Sequence, residues 1–120
     1  MDLIESYTIS KRLASMVDSE LSKSLVGHEF NRVHVEYILA LGRHEGISIK
    51  DICVMNGLDK GQATRVVRKL IEMGAVVNLG DKKKYALYLT PVGKLVQSYG
   101  AMVLLRIKEK IFAEFTEEEA

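Results

Sequence analysis

One cysteine, one proline and no tryptophan occur among the 120 residues. A lone Cys53 can form neither an intrachain disulfide nor a cysteine-based zinc site. The three histidines, His28, His34 and His44, lack the i, i+4 spacing of a helical metal site, so no metal or cofactor is expected. No segment approaches the roughly 20 apolar residues of a membrane span. The opening Met-Asp-Leu-Ile-Glu-Ser lacks the basic-then-apolar layout of a secretory signal. The expectation is a cytoplasmic chain without a membrane partner. There is also no glycine-rich phosphate loop, Cys/His pairing or nucleophile motif, so the chain is expected not to be an enzyme.

What is present is an ordinary globular balance, 48% hydrophobic and 28% charged, sized for a single domain over 1–120. The net charge of +1 conceals an asymmetry. Residues 59–84 hold seven Lys/Arg against three Asp/Glu, a net +4, which leaves −3 for the remainder. A basic segment on a slightly acidic body suggests one face made for a polyanion.

Hydrophobic periodicity and capping residues order the elements. Asp2 to about Val26 reads as a helix whose apolar residues Ile4, Tyr7, Leu13, Met16, Val17, Leu21 and Leu25 recur mostly at spacings of three and four, with Gly27 as its stop. Asn31 can cap a second helix to about Arg43, apolar on more than one face and therefore central. Ser48, three residues before Asp51, opens a short helix that Asn56-Gly57 ends. Asp59 at once opens another, Lys60 to Met73, with a stripe of Ala63, Val66, Val67, Leu70 and Ile71, stopped by Gly74. Two β-prone runs, Ala75–Leu79 and Tyr85–Leu89, flank Lys82-Lys83-Lys84 as a hairpin. Thr90-Pro91 then starts a long helix reaching about Phe115, with a solvated Glu117-Glu118-Glu119 end. The predicted fold is mainly α with a small β-hairpin wing: a winged helix-turn-helix lobe over 31–90, flanked by dimerisation helices 1–26 and 91–115.

These residues resemble the MarR family of winged-helix regulators from about Phe30 to Gln97. The resemblance rests on the order and spacing of several pieces. They are apolar Val35–Leu41, Ser48-Ile49-Lys50-Asp51-Ile52-Cys53, Leu58 to Val67, Leu70-Ile71-Glu72-Met73-Gly74-Ala75-Val76, and Leu89-Thr90-Pro91-Val92-Gly93. The wing departs from the family pattern, with Lys83 where an Asp-x-Arg motif has its arginine and a strand-to-tip segment a few residues shorter. The further helix that family members add begins near a Thr-x-x-Glu like Thr116–Glu119, where this sequence stops. The resemblance implies a homodimeric, sequence-specific DNA-binding transcriptional regulator, a repressor by expectation, on a palindromic operator. It also allows a small-molecule effector of unspecified chemistry.

On this reading Lys60, Gln62, Thr64 and Arg65 enter the major groove of double-stranded DNA, Arg68 and Lys69 meet phosphate, and Lys82, Lys83 and Lys84 form the wing contact. Ser48 and Asp59 support the helix-turn-helix as caps. Leu13, Val17, Leu21, Tyr99, Val103, Ile107 and Ile111 are the expected dimer interface. Taken alone, a basic helix face is a solvated face and a lysine run is a solvated turn. Cys53 beside Ile52 reads as a buried, inert thiol in preference to a redox sensor. Tyr7, Tyr37 and Tyr99 read as core or interface in preference to a ligand pocket, and His34 as a surface or capping residue. Two other classes fit the same elements: a winged-helix protein–protein interaction module and a non-specific architectural DNA-binding protein. Salt-dependent binding and competition with random DNA separate them.

Overall fold

The computed structural model describes residues 2–23 and 29–119, with side chains as far as 114. Among these residues the elements are α1 (Leu3–Leu21), α2 (Arg32–Arg43), α3 (Ile49–Asn56), α4 (Lys60–Glu72), β1 (Val76–Asn78), β2 (Leu87–Leu89) and α5 (Pro91–Glu119). The chain divides into two compact units. One is the continuous segment 33–100, and the other combines 1–32 with 101–120.

In the 33–100 unit the starts of α3, α4 and α5 use the capping chemistry their sequences offer. The Ser48 hydroxyl accepts from the Asp51 N–H at 3.1 Å, and the Asp59 carboxylate accepts from the Gln62 N–H at 2.8 Å. Each satisfies a backbone donor that the first helical turn leaves without a partner. Gly57 closes α3 with φ 62, a left-handed conformation that glycine enters without a Cβ clash, and α4 begins three residues later. The Thr90 hydroxyl accepts from the Gly93 N–H and donates to the Gly74 carbonyl, tying the start of α5 to the end of α4. Gly93 is required by proximity: a Cβ there would collide with the Ala75 carbonyl.

Ile38, Leu41, Ile52, Val67, Leu70, Leu87 and Val96 fill the core of this unit, drawn from every one of its elements except β1, which adds Val76. β1 and β2 pair antiparallel with Val76 opposite Leu89 and Asn78 opposite Leu87. A third backbone segment joins them. Gly46 N–H donates to the Leu87 carbonyl, and Leu87 N–H donates to the Ile47 carbonyl, forming a one-residue bridge. A bridge of that length has no periodicity and no sequence signature.

In the other unit, α1 starts at an Asp2 cap whose carboxylate accepts from the Glu5 N–H. The helix ends at Leu21. The Ser22 hydroxyl bonds back to the Ser19 carbonyl, a side-chain alternative to further helix. The expected continuation to Val26 and the Gly27 stop fall on residues 24–28, outside the described residues. α5 runs to Glu119, four residues past the expected end, because no proline or glycine follows Gly100 and glutamate tolerates helix well. Among the described residues of this unit the buried ones are Glu20, Leu21, Phe30, Val103 and Ile107. Glu20 is held by Lys23 Nζ at 3.1 Å, by Lys110 and, more distantly, by Arg106 at 3.9 Å. Lys110 first and then Lys23 hold its carboxyl below the usual glutamate range.

Candidate nucleic-acid interface

Five of the seven basic side chains singled out in the sequence, Lys60, Arg68, Lys82, Lys83 and Lys84, converge on one groove of about 540 Å3 in the 33–100 unit, while Arg65 and Lys69 lie outside its lining. Its walls are the N-terminal turns of α3 and α4 and the tip of the hairpin. Lys60, Thr64 and Arg68 come from α4 and Lys82, Lys83 and Lys84 from the tip, with Ser48 and Asp51 at the α3 start. Lys50 on α3 and Tyr85 beside the tip also line it, and neither was singled out in the sequence. Lys50 carried a usable signal, since it lies two residues after a helix cap and faces the same anion-attracting helix end.

On α4 the spacing of 3.6 residues per turn sorts the side chains. Ala63, Val67 and Leu70 are fully buried, while Lys60, Gln62, Arg65, Arg68 and Lys69 are exposed and Thr64 is half-buried. Thr64 spends its hydroxyl proton on the Lys60 carbonyl at 2.8 Å, which leaves only lone pairs and a methyl group for a ligand. Lys69 lies 3.7 Å from Glu72, a surface pair that leaves it available to stronger anions. Arg65 and Gln62 stand outside the groove lining on the same exposed side of the helix start.

The hairpin tip is organised by two side chains. Asn78 Oδ1 accepts from both the Gly80 and Ala86 N–H groups at 2.9 Å. Asp81 Oδ1 accepts from the Lys83 and Lys84 N–H groups at 2.8 and 2.7 Å. Those two backbone donors hold the Asp81 carboxyl below its ordinary range, so it stays ionised while aiming the lysine backbone. Asn78 gave no motif to read: its role depends on a bond to a residue eight positions away across the hairpin.

The remaining candidates sit apart from the groove. Cys53 is buried, and burial with the nearby Asp59 raises its thiol pKa, so the thiolate is suppressed. His34 is half-buried on α2, with its pKa lowered by desolvation and then by Lys69. His44 is exposed and His28 lies outside the described residues. Among the described residues no group of three His, Cys, Asp or Glu side chains could hold a metal ion. No helix there is long and apolar enough to cross a membrane.

The expected interface residues divide in two. Leu21, Val103 and Ile107 are buried by the chain itself, at 3%, 2% and 4% exposure, and belong to the core of their unit. Val17 and Tyr99 are half-buried, while Leu13 and Ile111 are exposed. Helical periodicity marks a buried stripe without distinguishing burial in the same chain from burial in a second one.

The model of the MarR family matches residues 28–83. Comparison with curated protein sequences found no match. Among solved structures, a MarR protein from Peptoclostridium difficile is 25% identical, with 98% of this chain and 76% of that chain covered and a TM-score of 0.81. A crystal structure of MarR is likewise 25% identical, with 99% and 81% covered and a TM-score of 0.80. FabT of Streptococcus pneumoniae, solved in complex with DNA, is 19% identical, with 97% and 84% covered and a TM-score of 0.79. The family model takes in the whole helix-turn-helix and the start of the wing, and the fold is shared over nearly the full length. Residues 28–83 thus resemble the MarR family of winged-helix transcriptional regulators, and the chain shares the fold of the MarR proteins of known structure.

Proposed function

We propose that this chain is a transcriptional regulator that binds double-stranded DNA sequence-specifically as a homodimer, on a palindromic operator, and acts as a repressor. The observation that carries the reading is the groove in which Lys50, Lys60, Arg68, Lys82, Lys83 and Lys84 face one another against a single carboxylate, Asp51. Six cations around one concavity are matched to a phosphate backbone. The start of α4, with Gln62 and Arg65 exposed beside it, is the part of a helix-turn-helix that reads base edges. FabT, of the same fold, was solved with DNA. The homodimer is supported by large apolar side chains left exposed on α1 and late α5: Leu3, Ile4, Tyr7, Leu105 and Phe112. That much apolar surface is what a soluble chain covers with a partner. Two-fold symmetry then repeats the half-site, with recognition helices about 34 Å apart.

The test is a salt titration of affinity for a selected operator and for random DNA. Specific binding should weaken steeply with salt. Neutralising Lys82, Lys83 and Lys84 together should lower the log–log slope by about 0.9 for each phosphate no longer neutralised, leaving the preferred sequence unchanged. Equal affinity for operator and random DNA would leave an architectural binder. An absence of salt-dependent binding would leave a protein-interaction module.

A further inference from the structure

The polar residue tying the lobe core to the DNA-facing surface is Tyr37. It lies on α2 at 4% exposure, and its hydroxyl donates to Gln62 Oε1 at 3.5 Å. A buried tyrosine hydroxyl without a partner loses its hydration with nothing in exchange, so buried tyrosines hold on to the acceptor they have. The surroundings reinforce this. Burial, Cys53, Asp59 and Glu36 all act to keep the Tyr37 hydroxyl protonated and hence a donor. Gln62 is also pinned through its backbone, since its N–H donates to the Asp59 cap at 2.8 Å. Its side chain is nonetheless exposed, in the first turn of the recognition helix. With Oε1 turned inward to Tyr37, the group of the carboxamide left for the major groove is its NH2, a pure donor.

We propose that Tyr37 is a positioning residue that orients the Gln62 carboxamide with its NH2 toward the DNA, so that Gln62 selects guanine over adenine. The proposal rests on the DNA-binding reading above. A free glutamine pairs with adenine through both ends of its amide, accepting from N6–H2 and donating to N7. A glutamine whose oxygen is turned inward toward Tyr37 presents its NH2, a donor, to the groove. Guanine offers two adjacent acceptors, N7 and O6, whereas adenine would leave its N6–H2 without a partner. The specificity at this base is thus set by a side chain that never reaches the DNA.

The experiment is selection from a random DNA pool by the full chain and by Tyr37→Phe, Gln62→Ala and Gln62→Glu, with melting curves for each. The unmodified protein should enrich guanine at one half-site position, and Gln62→Ala should lose that preference by roughly 5- to 100-fold. Tyr37→Phe keeps the ring and frees the amide oxygen. It should move the guanine-to-adenine ratio at that position toward adenine by about two- to tenfold, with binding to random DNA and the salt slope unchanged. Gln62→Glu keeps an acceptor for Tyr37 but removes the outward donor, so guanine should give way to cytosine, whose N4–H2 donates. This variant carries the test if Tyr37→Phe fails to fold.

An adenine preference in the unmodified protein would overturn the proposal. So would an unshifted preference in Tyr37→Phe, a Tyr37→Phe defect equal on all sequences, or guanine retained by Gln62→Glu. If the unmodified protein enriches no sequence at all, the DNA-reading function falls first and Tyr37 with it. An enriched operator that ignores Tyr37 overturns the Tyr37 role alone.

Discussion

The two units of this chain spend their apolar residues differently. The 33–100 unit has a core in which Ile38, Leu41, Ile52, Val67 and Leu70 keep no exposed surface, with Val54, Leu79 and Leu95 left exposed at its rim. The unit formed by 1–32 and 101–120 leaves Leu3 at 89%, Ile4 at 78% and Leu105 at 56% exposure. Their polar groups differ in the same sense. The first unit uses short side-chain caps and a two-residue Asn78/Asp81 scaffold to hold backbone. Among its described residues the second has one buried carboxylate, Glu20, among long flexible cations, and an exposed Arg12–Glu114 pair at 2.6 Å. One unit is built to hold a surface in fixed geometry. The other is built of helices whose remaining apolar faces await cover.

The largest expected break in that contrast is in the core of the first unit. Leu41→Ala should cost about 2–5 kcal/mol, through lost apolar transfer and the cavity left behind. Thermal or denaturant unfolding reads it, and a loss below about 1 kcal/mol would mean the unit is looser than its burial implies. Leu105→Ala, at an exposed position, should change monomer stability by under about 0.5 kcal/mol.

Next in size is assembly. A glutamate at Leu105 should raise the dimer dissociation constant by roughly 100-fold or more, about 3 kcal/mol, since a charge would enter a desolvated interface without a partner. Sedimentation at micromolar concentration measures this, and an unmodified protein that stays monomeric there removes the two-fold operator geometry with it. Val103 and Ile107 cannot serve for this test. Both are already buried within the chain, so a charge at either unfolds the unit before it reports on association.

Capping sharpens the comparison on a finer scale. Asp59→Ala should destabilise the protein by about 1 kcal/mol, because α4 starts within a packed lobe and its first turn must stay formed. Asp2→Ala removes the same kind of bond from an exposed helix end free to fray, and should cost a few tenths of that. Equal effects at both sites in chemical denaturation would place the two helix starts in the same cooperative unit.

The smallest effect is one of pH. With its carboxyl held below the usual range by Lys110 and Lys23, Glu20 contributes stability that is fully present above the unfolded-state glutamate pKa of about 4.3. That contribution is lost as pH falls through this value toward the lower folded one. Glu20→Gln should therefore be less stable than the unmodified protein at pH 7, and the difference should shrink as pH falls below the unfolded-state value. A constant difference across that range in melting temperature would mean that packing, and not charge, is what Glu20 supplies.

Much of this protein was legible in the order of its residues because the signals are local. Caps at Ser48 and Asp59, the glycine stop at Gly57, the Thr90-Pro91 start and the 3.6-residue stripe of α4 each act within one or two turns, and the backbone obeys them. The convergence of Lys60, Arg68 and the lysine tip also followed, because a helix-turn-helix and its hairpin have a narrow range of geometries. What the tertiary structure alone decided is every property that needs two distant segments to meet. Lys50 joins the groove, Asn78 clamps the hairpin, Ile47 extends it, and Tyr37 engages Gln62 across 25 residues. Leu21, Val103 and Ile107 turn inward where their periodicity alone allowed either direction. Periodicity states that a face is apolar. Which surface covers that face depends on packing between elements, and no local pattern encodes it.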